Sequence, residues 1–319
     1  MQEKTRTSLY NKLAPVYHAF KASTVLRPER SCMDEQSRRT HVIAVGNQKG
    51  GVGKTTNTVH LAAALGEMGK RCLIWDLDMN HGATLHLGVP PEAFDGTFMV
   101  LAEERTPEEV IIDEDEPDVE LPPNVHLIPS SRDLERLEAV LAAKDRFYDP
   151  RRILINPIDG LRGRYDYIFL DTAPNATAPT IASYVAADWF IVSVIPESFA
   201  LNGMRECLKD IRRARQAELN PNLTLLGIIV SGLDQRITLA RQYTAEINEM
   251  FRVEGSPSRM FQTTISRAAA VPRVQKAGKT LFQVDQAHKV AKQYTALAHE
   301  IEDRVLALGS EHQAAVQGV

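Results

Sequence analysis

Residues 42–65 constrain the fold of this chain more than any other stretch. Val42-Ile43-Ala44-Val45 is a short apolar run. Lys49-Gly50-Gly51-Val52-Gly53-Lys54-Thr55-Thr56 follows it, and then the Ala-rich run Leu61-Ala62-Ala63-Ala64-Leu65. The order is strand, glycine loop, helix, the context that turns a glycine pattern into a phosphate-binding loop. Glycines let backbone N–H groups converge on an anion, and the helix N-terminus adds partial positive charge. Gly50, Gly51, Val52, Gly53 and Thr56 are the expected cradle, Lys54 the residue that reaches the terminal phosphates, and the Thr55 hydroxyl a ligand of Mg²⁺. Two details separate this loop from the ordinary one. A second lysine, Lys49, sits inside it, and Gln48 occupies the place of its usual first glycine.

The rest of the chain repeats the alternation. Strands are expected at 42–47, 71–77, 124–129, 166–171, 189–195 and 223–230, with a further candidate at 259–263. Helices are expected at 54–68, 131–143, 176–187, 200–218, 236–251 and 286–308. Strands apolar throughout, alternating with helices, predict an α/β fold in three layers, a mostly parallel central sheet covered by helices on both faces. The loop after the first strand puts a ligand at the carboxyl edge of that sheet. The fold expected is thus a P-loop NTPase domain over 41–308. Residues 1–40 are a polar, mildly basic arm with one apolar-aromatic patch, Leu13 to Phe20, either without structure of its own or a helix that docks on the body. Residues 309–319 read as a flexible tail.

Composition excludes some classes. The chain has 319 residues, 44% hydrophobic and 24% charged, which is ordinary for a globular protein. No apolar run approaches the ~20 residues of a membrane span, and the N-terminus has no signal-peptide core. Cys32, Cys72 and Cys207 make no metal or disulfide pattern, which fits a reducing cytoplasm. The net charge of −4 hides a division. Residues 1–40 carry eight Lys/Arg against four Asp/Glu, 41–204 thirteen against 25, and 205–279 thirteen against seven. Glu103 to Glu120 holds ten acids and one Arg, a pattern that reads as a solvated loop.

Two further strands end in acids. Cys72-Leu73-Ile74-Trp75-Asp76-Leu77-Asp78 delivers Asp76 and Asp78, on one side by alternation. They either coordinate Mg²⁺ or orient a water, or they cap the next helix. Tyr167-Ile168-Phe169-Leu170-Asp171 matches the Walker B arrangement, a buried strand bringing one carboxylate to Mg²⁺ beside the phosphates. Asp188, Glu197 and Asp234 read as solubilising residues at strand ends.

Gln48 to Thr56, Asp76-Leu77-Asp78 and Asp171-Thr172-Ala173-Pro174 together resemble the ParA branch of the deviant-Walker ATPases, which includes ParA/Soj partition proteins and the related MinD. The resemblance continues in Val185-Ala186-Ala187-Asp188 and Pro196 to Gly203, and covers about 41–305. Gln48 favours ParA over MinD. The resemblance implies an ATP- and Mg²⁺-dependent homodimer. Lys49 would reach across it to the partner's nucleotide, Lys54 and Thr55 would hold phosphate and metal, Asp78 would position the attacking water, and Asp171 would be the Walker B acid. Two departures stand out: Met79-Asn80 where the family commonly has Pro-Gln, and Ser266-Arg267-Ala268 where it has Pro-Arg-Asn.

The resemblance further implies non-specific double-stranded DNA binding through a C-terminal basic face, which needs charge and no base reader. Arg236, Arg241, Arg267, Arg273 and Lys276 are the expected contacts. A ParB-like or other cargo adaptor would stimulate hydrolysis, and the protein would be cytoplasmic and nucleoid-associated. MinD's membrane helix is basic, whereas residues 280–319 here are net negative; membrane binding is not expected. Other readings are a MinD-like or microcompartment-positioning ATPase, an autoregulatory repressor, for which forty N-terminal residues are too few, and a metabolic enzyme on the same fold. The nitrogenase iron protein needs two cysteines after the switch strands, and here only Cys207 qualifies.

Overall fold

The computed structural model describes residues 40–317 except 146, 198–199, 217–218 and 253–257, and side chains other than those of 200–202, 216 and 310–317. Six strands form one sheet: β1 (His41–Gly46), β2 (Cys72–Asp76), β3 (Val125–Ile128), β4 (Tyr167–Asp171), β5 (Trp189–Val194) and β6 (Thr224–Val230). Their order is β3-β2-β4-β1-β5-β6 and every pairing is parallel. The helices are α1 (Lys54–Glu67), α2 (Gly82–His86), α3 (Thr97–Leu101), α4 (Pro107–Val110), α5 (Leu137–Ala142), α6 (Ile155–Leu161), α7 (Ala178–Ala186), α8 (Ala200–Gln216), α9 (Thr238–Met250), α10 (Ala270–Lys276), α11 (Leu281–Val284) and α12 (Lys289–Gln317).

Both sheet faces are covered, which is why the strands are apolar throughout. Val42, Ala44, Leu73, Trp75, Ile168 and Leu170 point into a core shared with α3, α5, α6, α7, α8 and α9. Ile43, Val45, Ile74 and Phe169 point into the opposite core with α1, α10, α11 and α12. The chain leaves β1 for β2, fills the gap with β4, then moves to β5 on the other side of β1. Such a reversal of strand order opens a crevice at the carboxyl end of β1, where α/β sheets bind ligands.

Some expectations need correction. The segment 259–263 is not a strand; Met260 makes one isolated bridge to Ile228. The helix expected at 131–143 is a 3₁₀ turn, Arg132–Arg136, followed by α5. The last helix runs to Gln317, past the start of the tail expected at 309. The acidic segment is more than a solvated loop: a Thr106/Glu109 capping box starts α4, and buried Ile112 pairs antiparallel with Leu127. Val110 and Ile112 anchor it despite the charge around them. The arm at 1–39 lies outside the described residues.

Candidate functional site

The loop between β1 and α1 adopts the conformation its glycines allow. Gly51 and Gly53 have φ of 72° and 84°, left-handed values that carry little penalty without a Cβ. A buried polar network supports the turn from behind. The Ser193 hydroxyl donates to the Val52 carbonyl at 2.7 Å, and Asn57 Nδ2 donates to Ser193 Oγ at 2.7 Å. The Tyr294 hydroxyl of α12 closes the chain by donating to Asn57 Oδ1 at 2.7 Å. Asn47 Nδ2 donates to the Ser193 carbonyl at 2.8 Å, and Asn47 Oδ1 accepts from the Lys49 N–H at 2.9 Å. A half-satisfied network of this kind would be costly, so full pairing holds the loop to one shape. The clue missed in the sequence was Asn57, a polar residue at a fully buried position of an Ala/Leu helix.

At the carboxyl ends of the strands, the sheet register sets Asp76 of β2 beside Asp171 of β4. Both are fully buried. Thr55 Oγ1 donates to Asp171 Oδ2 at 2.7 Å, and Thr58 Oγ1 to Asp171 Oδ1 at 3.3 Å. Burial, then the Asp76 carboxylate, pushes the Asp171 carboxyl up to about 8. Lys54 is buried as well, and desolvation pulls its ammonium down while Asp171 and Asp78 oppose. The structure thus joins Lys54, Thr55 and Asp171 in one group, with Asp78 close enough for its charge to act on both Lys54 and Asp171. Within it lie a carboxyl whose charged form is opposed by burial and by a second acid, and a lysine whose charge is poorly solvated. The open loop in front suits an anion, since a Cβ at Gly50 or Gly51 would meet nothing within 4 Å. Thr56 is half-buried in the first turn of α1, its carbonyl 3.0 Å from His60 Nδ1.

The two acids of β2 have different roles. Asp76 does not share a side with Asp78. It turns inward, where Oδ2 accepts from the Thr84 N–H at 2.9 Å and hydroxyl at 2.8 Å, and Oδ1 from the Asp78 N–H at 3.1 Å. That is the capping role. Burial raises its carboxyl to about 6. Asp78 is half-exposed, and its Oδ1 accepts from the Asn80 N–H and side-chain amide, both at 2.9 Å. Met79-Asn80 therefore still forms a tight turn, with Asn80 supplying the bonds.

Lys49 lies on the rim, with Nζ 3.2 Å from Glu197 Oε2. Gln48 Nε2 donates to Asp210 of α8. Gly203 of the same helix abuts the loop; a Cβ there would sit 2.4 Å from Asn47 Oδ1 and 2.9 Å from Lys49 Cβ. Glu197 is thus a partner of the loop lysine and not a solubilising residue. Asp188 likewise accepts from the Val42 N–H at 3.0 Å and from Arg162 Nη1 at 3.2 Å, tying β1 to the end of α6.

The five basic candidates are all exposed. Arg236 and Arg267 line one depression of about 530 Å³ together with Lys289. Asp234 also lines it and pairs with Arg236 at 2.7 Å. That pairing, more than any other cause, holds the Asp234 carboxyl down to about 2. Arg241 lines a neighbouring hollow and donates to the Thr238 hydroxyl. Arg273 and Lys276 stand one turn apart on α10. Among the described residues no helix is long and apolar enough to cross a membrane.

Comparison with known proteins bears on what this geometry serves. Residues 40–225 match the model of the AAA domain family described as AAA_31. The chain is 35% identical over 264 residues to the chromosome-partitioning ATPase Soj of Thermus thermophilus, covering 82% of this chain and 96% of that one. This chain belongs to the ParA/Soj family of partition ATPases. Cobyrinic acid a,c-diamide synthase of Mycobacterium smegmatis, solved with ADP and magnesium, superposes with a TM-score of 0.63 at 29% identity, covering 75% of this chain and 92% of that one. McdA of a Cyanothece shares the fold, with a TM-score of 0.69 at 19% identity over 83% of this chain and 99% of that one. The expected P-loop NTPase fold and the ParA-type resemblance are both borne out.

Proposed function

We propose that this chain is an ATP-operated positioning switch of the ParA type. The observation that carries the reading is the convergence of buried Lys54 and Asp171 with Thr55 behind a loop whose second lysine, Lys49, is on the rim. Lys54 and the loop amides would hold the phosphates of ATP; Thr55, Asp171 and Asp78 would hold Mg²⁺ or its water. Bound there, Mg²⁺ would offset the Asp171 charge and stabilise charge developing on the phosphates. Asp78, partly exposed and fixed by its turn, would orient the attacking water. Lys49 would leave Glu197 and reach the nucleotide of a second copy, as an arginine finger does. An exposed ion pair is worth only about 0–1 kcal/mol, so Glu197 opposes that exchange weakly.

In this reading the ATP-bound dimer doubles a basic surface built from Arg236, Arg241, Arg267, Arg273 and Lys276, and binds double-stranded DNA without sequence preference. A ParB-like or other cargo adaptor triggers hydrolysis and release, in a cytoplasmic, nucleoid-associated cycle that moves a plasmid, chromosome or other large cargo. DNA retention should require ATP and fall steeply with salt; equal retention with ATP, ADP or no nucleotide would refute the proposal. Asp78→Ala should trap an ATP dimer by light scattering, and a variant that stays monomeric in ATP would remove the role assigned to Asp78. The likeness to the diamide synthase supports a second reading, amide synthesis on the same fold. Turnover stimulated by DNA and a protein adaptor, without a small-molecule acceptor, would separate the two.

A further inference from the structure

A groove of about 750 Å³ lies on the face of the sheet opposite α12, away from the phosphate loop. Val100, Ile153 and Pro157 supply apolar surface inside it. Its rim carries Glu103, Glu104, Glu108, Glu109 and Asp149 against Arg105 and Arg152; Glu103 pairs with Lys144, Glu108 with Arg164, Glu109 with Arg105 and Asp149 with Arg151 and Arg152. Phe147, at its edge, is 81% exposed, the most exposed large hydrophobic side chain among the described residues. A hollow with apolar walls, an acidic rim and a presented aromatic ring has the chemistry of a docking site for a basic, aromatic-bearing segment.

The chain enters the described structure beside this groove. Thr40 Oγ1 donates to the Tyr165 carbonyl at 2.6 Å and accepts from the Gly163 N–H at 2.8 Å, while Arg162 Nη1 donates to the Thr40 carbonyl at 3.2 Å. Residues 162–165 directly follow α6, whose Gly160 lines the groove, and Arg164 pairs with the rim residue Glu108 at 3.4 Å. The preceding 39 residues are therefore tethered at the groove's end. They have the matching composition. Residues 1–40 carry eight Lys/Arg against four Asp/Glu, and Leu13-Ala14-Pro15-Val16-Tyr17-His18-Ala19-Phe20 is flanked by Lys12 and Lys21. Twenty residues separate Phe20 from Thr40 and span at most about 65 Å when extended.

We propose that the apolar-aromatic patch around Tyr17 and Phe20 docks in this groove of its own chain, with the lysines beside it facing the acidic rim. Tethering raises the local concentration of the patch to the millimolar range, so even a contact weak between separate molecules is populated within one chain. The groove shares no lining residue with the depression of Arg236 and Arg267, and the proposal does not depend on the ATPase reading.

The test is site-directed cross-linking in the full-length protein. Cys32→Ser removes the thiol of the arm, while Cys72 and Cys207 are buried. Tyr17→Cys is combined with Asn156→Cys in the groove, or with Lys292→Cys on α12 across the sheet as a control. Under mild oxidation the 17–156 pair should form an intramolecular disulfide about tenfold faster than the 17–292 pair. Glu104→Lys with Glu108→Lys should remove the difference, as should about 1 M salt through screening. The salt series tests the unreversed rim, so a misfolded charge-reversal variant leaves the result readable. Equal rates at the two positions would overturn the proposal. So would cross-linking between chains alone, which assigns the groove to a second copy, or an advantage untouched by charge reversal and salt.

Discussion

Asp171→Asn changes one atom of a buried carboxyl, and the structure fixes what should follow. Without ligand, Asp171 is fully buried beside Asp76 and holds its proton up to a pH of about 8. In the unfolded chain it ionises near 3.9. Its folded pKa is raised, so the folded state binds more protons than the unfolded state between those values. Stability consequently falls as pH rises through that window. At about 1.4 kcal/mol per pH unit, the penalty near pH 7 is on the order of 4 kcal/mol. Asparagine carries no charge but loses one acceptor for Thr55 or Thr58, a cost of about 1–2 kcal/mol. The variant should match the parent near pH 5 and exceed it by about 2–3 kcal/mol near pH 7 in the absence of ligand. Urea denaturation of both proteins across pH 5–8 measures this, and the other titrating groups largely cancel in the difference. Mg²⁺ with ATP should stabilise the parent and lose most of that effect on the variant. A variant no more stable than the parent at pH 7, with an unchanged pH slope, would refute the buried-charge argument.

Three further outcomes follow from the geometry. Gly203→Ala places a Cβ 2.4 Å from Asn47 Oδ1, so it should cost about 1–3 kcal/mol and weaken nucleotide binding, read by denaturation and by titration with a fluorescent ATP analogue. Gly278→Ala meets Gly88 Cα at 2.6 Å from a φ of 67°, and should lower stability by at least about 2 kcal/mol while leaving the loop network intact. Arg236→Ala and Arg267→Ala should each weaken DNA retention across all sequences and reduce the slope of log affinity against log salt by about 1, measured by fluorescence anisotropy.

The fold was largely legible because a doubly covered parallel sheet demands strands apolar on both faces, and all six strands of the sheet show that pattern. The expected strand at 259–263 failed because Phe261 packs under Gly227 and the guanidinium of Arg304, whose donors bind the carbonyls of Ser258, Arg259 and Met260. A side chain 43 residues away in sequence thus replaces a ladder, and no local pattern reveals it. The short helices α2, α3, α4, α6, α10 and α11 were missed for a related reason: each has seven residues or fewer, too few for a period to register.

By itself the sequence determined the layer architecture and the phosphate loop, because both follow from local spacing and from a strand feeding a turn; Lys49, Lys54, Thr55, Asp78 and Asp171 were singled out by that spacing together with the resemblance to ParA. Only the tertiary structure decided how those residues are held and charged. The β2–β4 register sets Asp76 against Asp171, the Asn57–Ser193–Tyr294 network fixes the loop, and Glu197 and Asp210 occupy Lys49 and Gln48. These are long-range facts. Burial and neighbouring charge set the energy of an ionisable group, and both are properties of the assembled sheet and helices rather than of any stretch of chain.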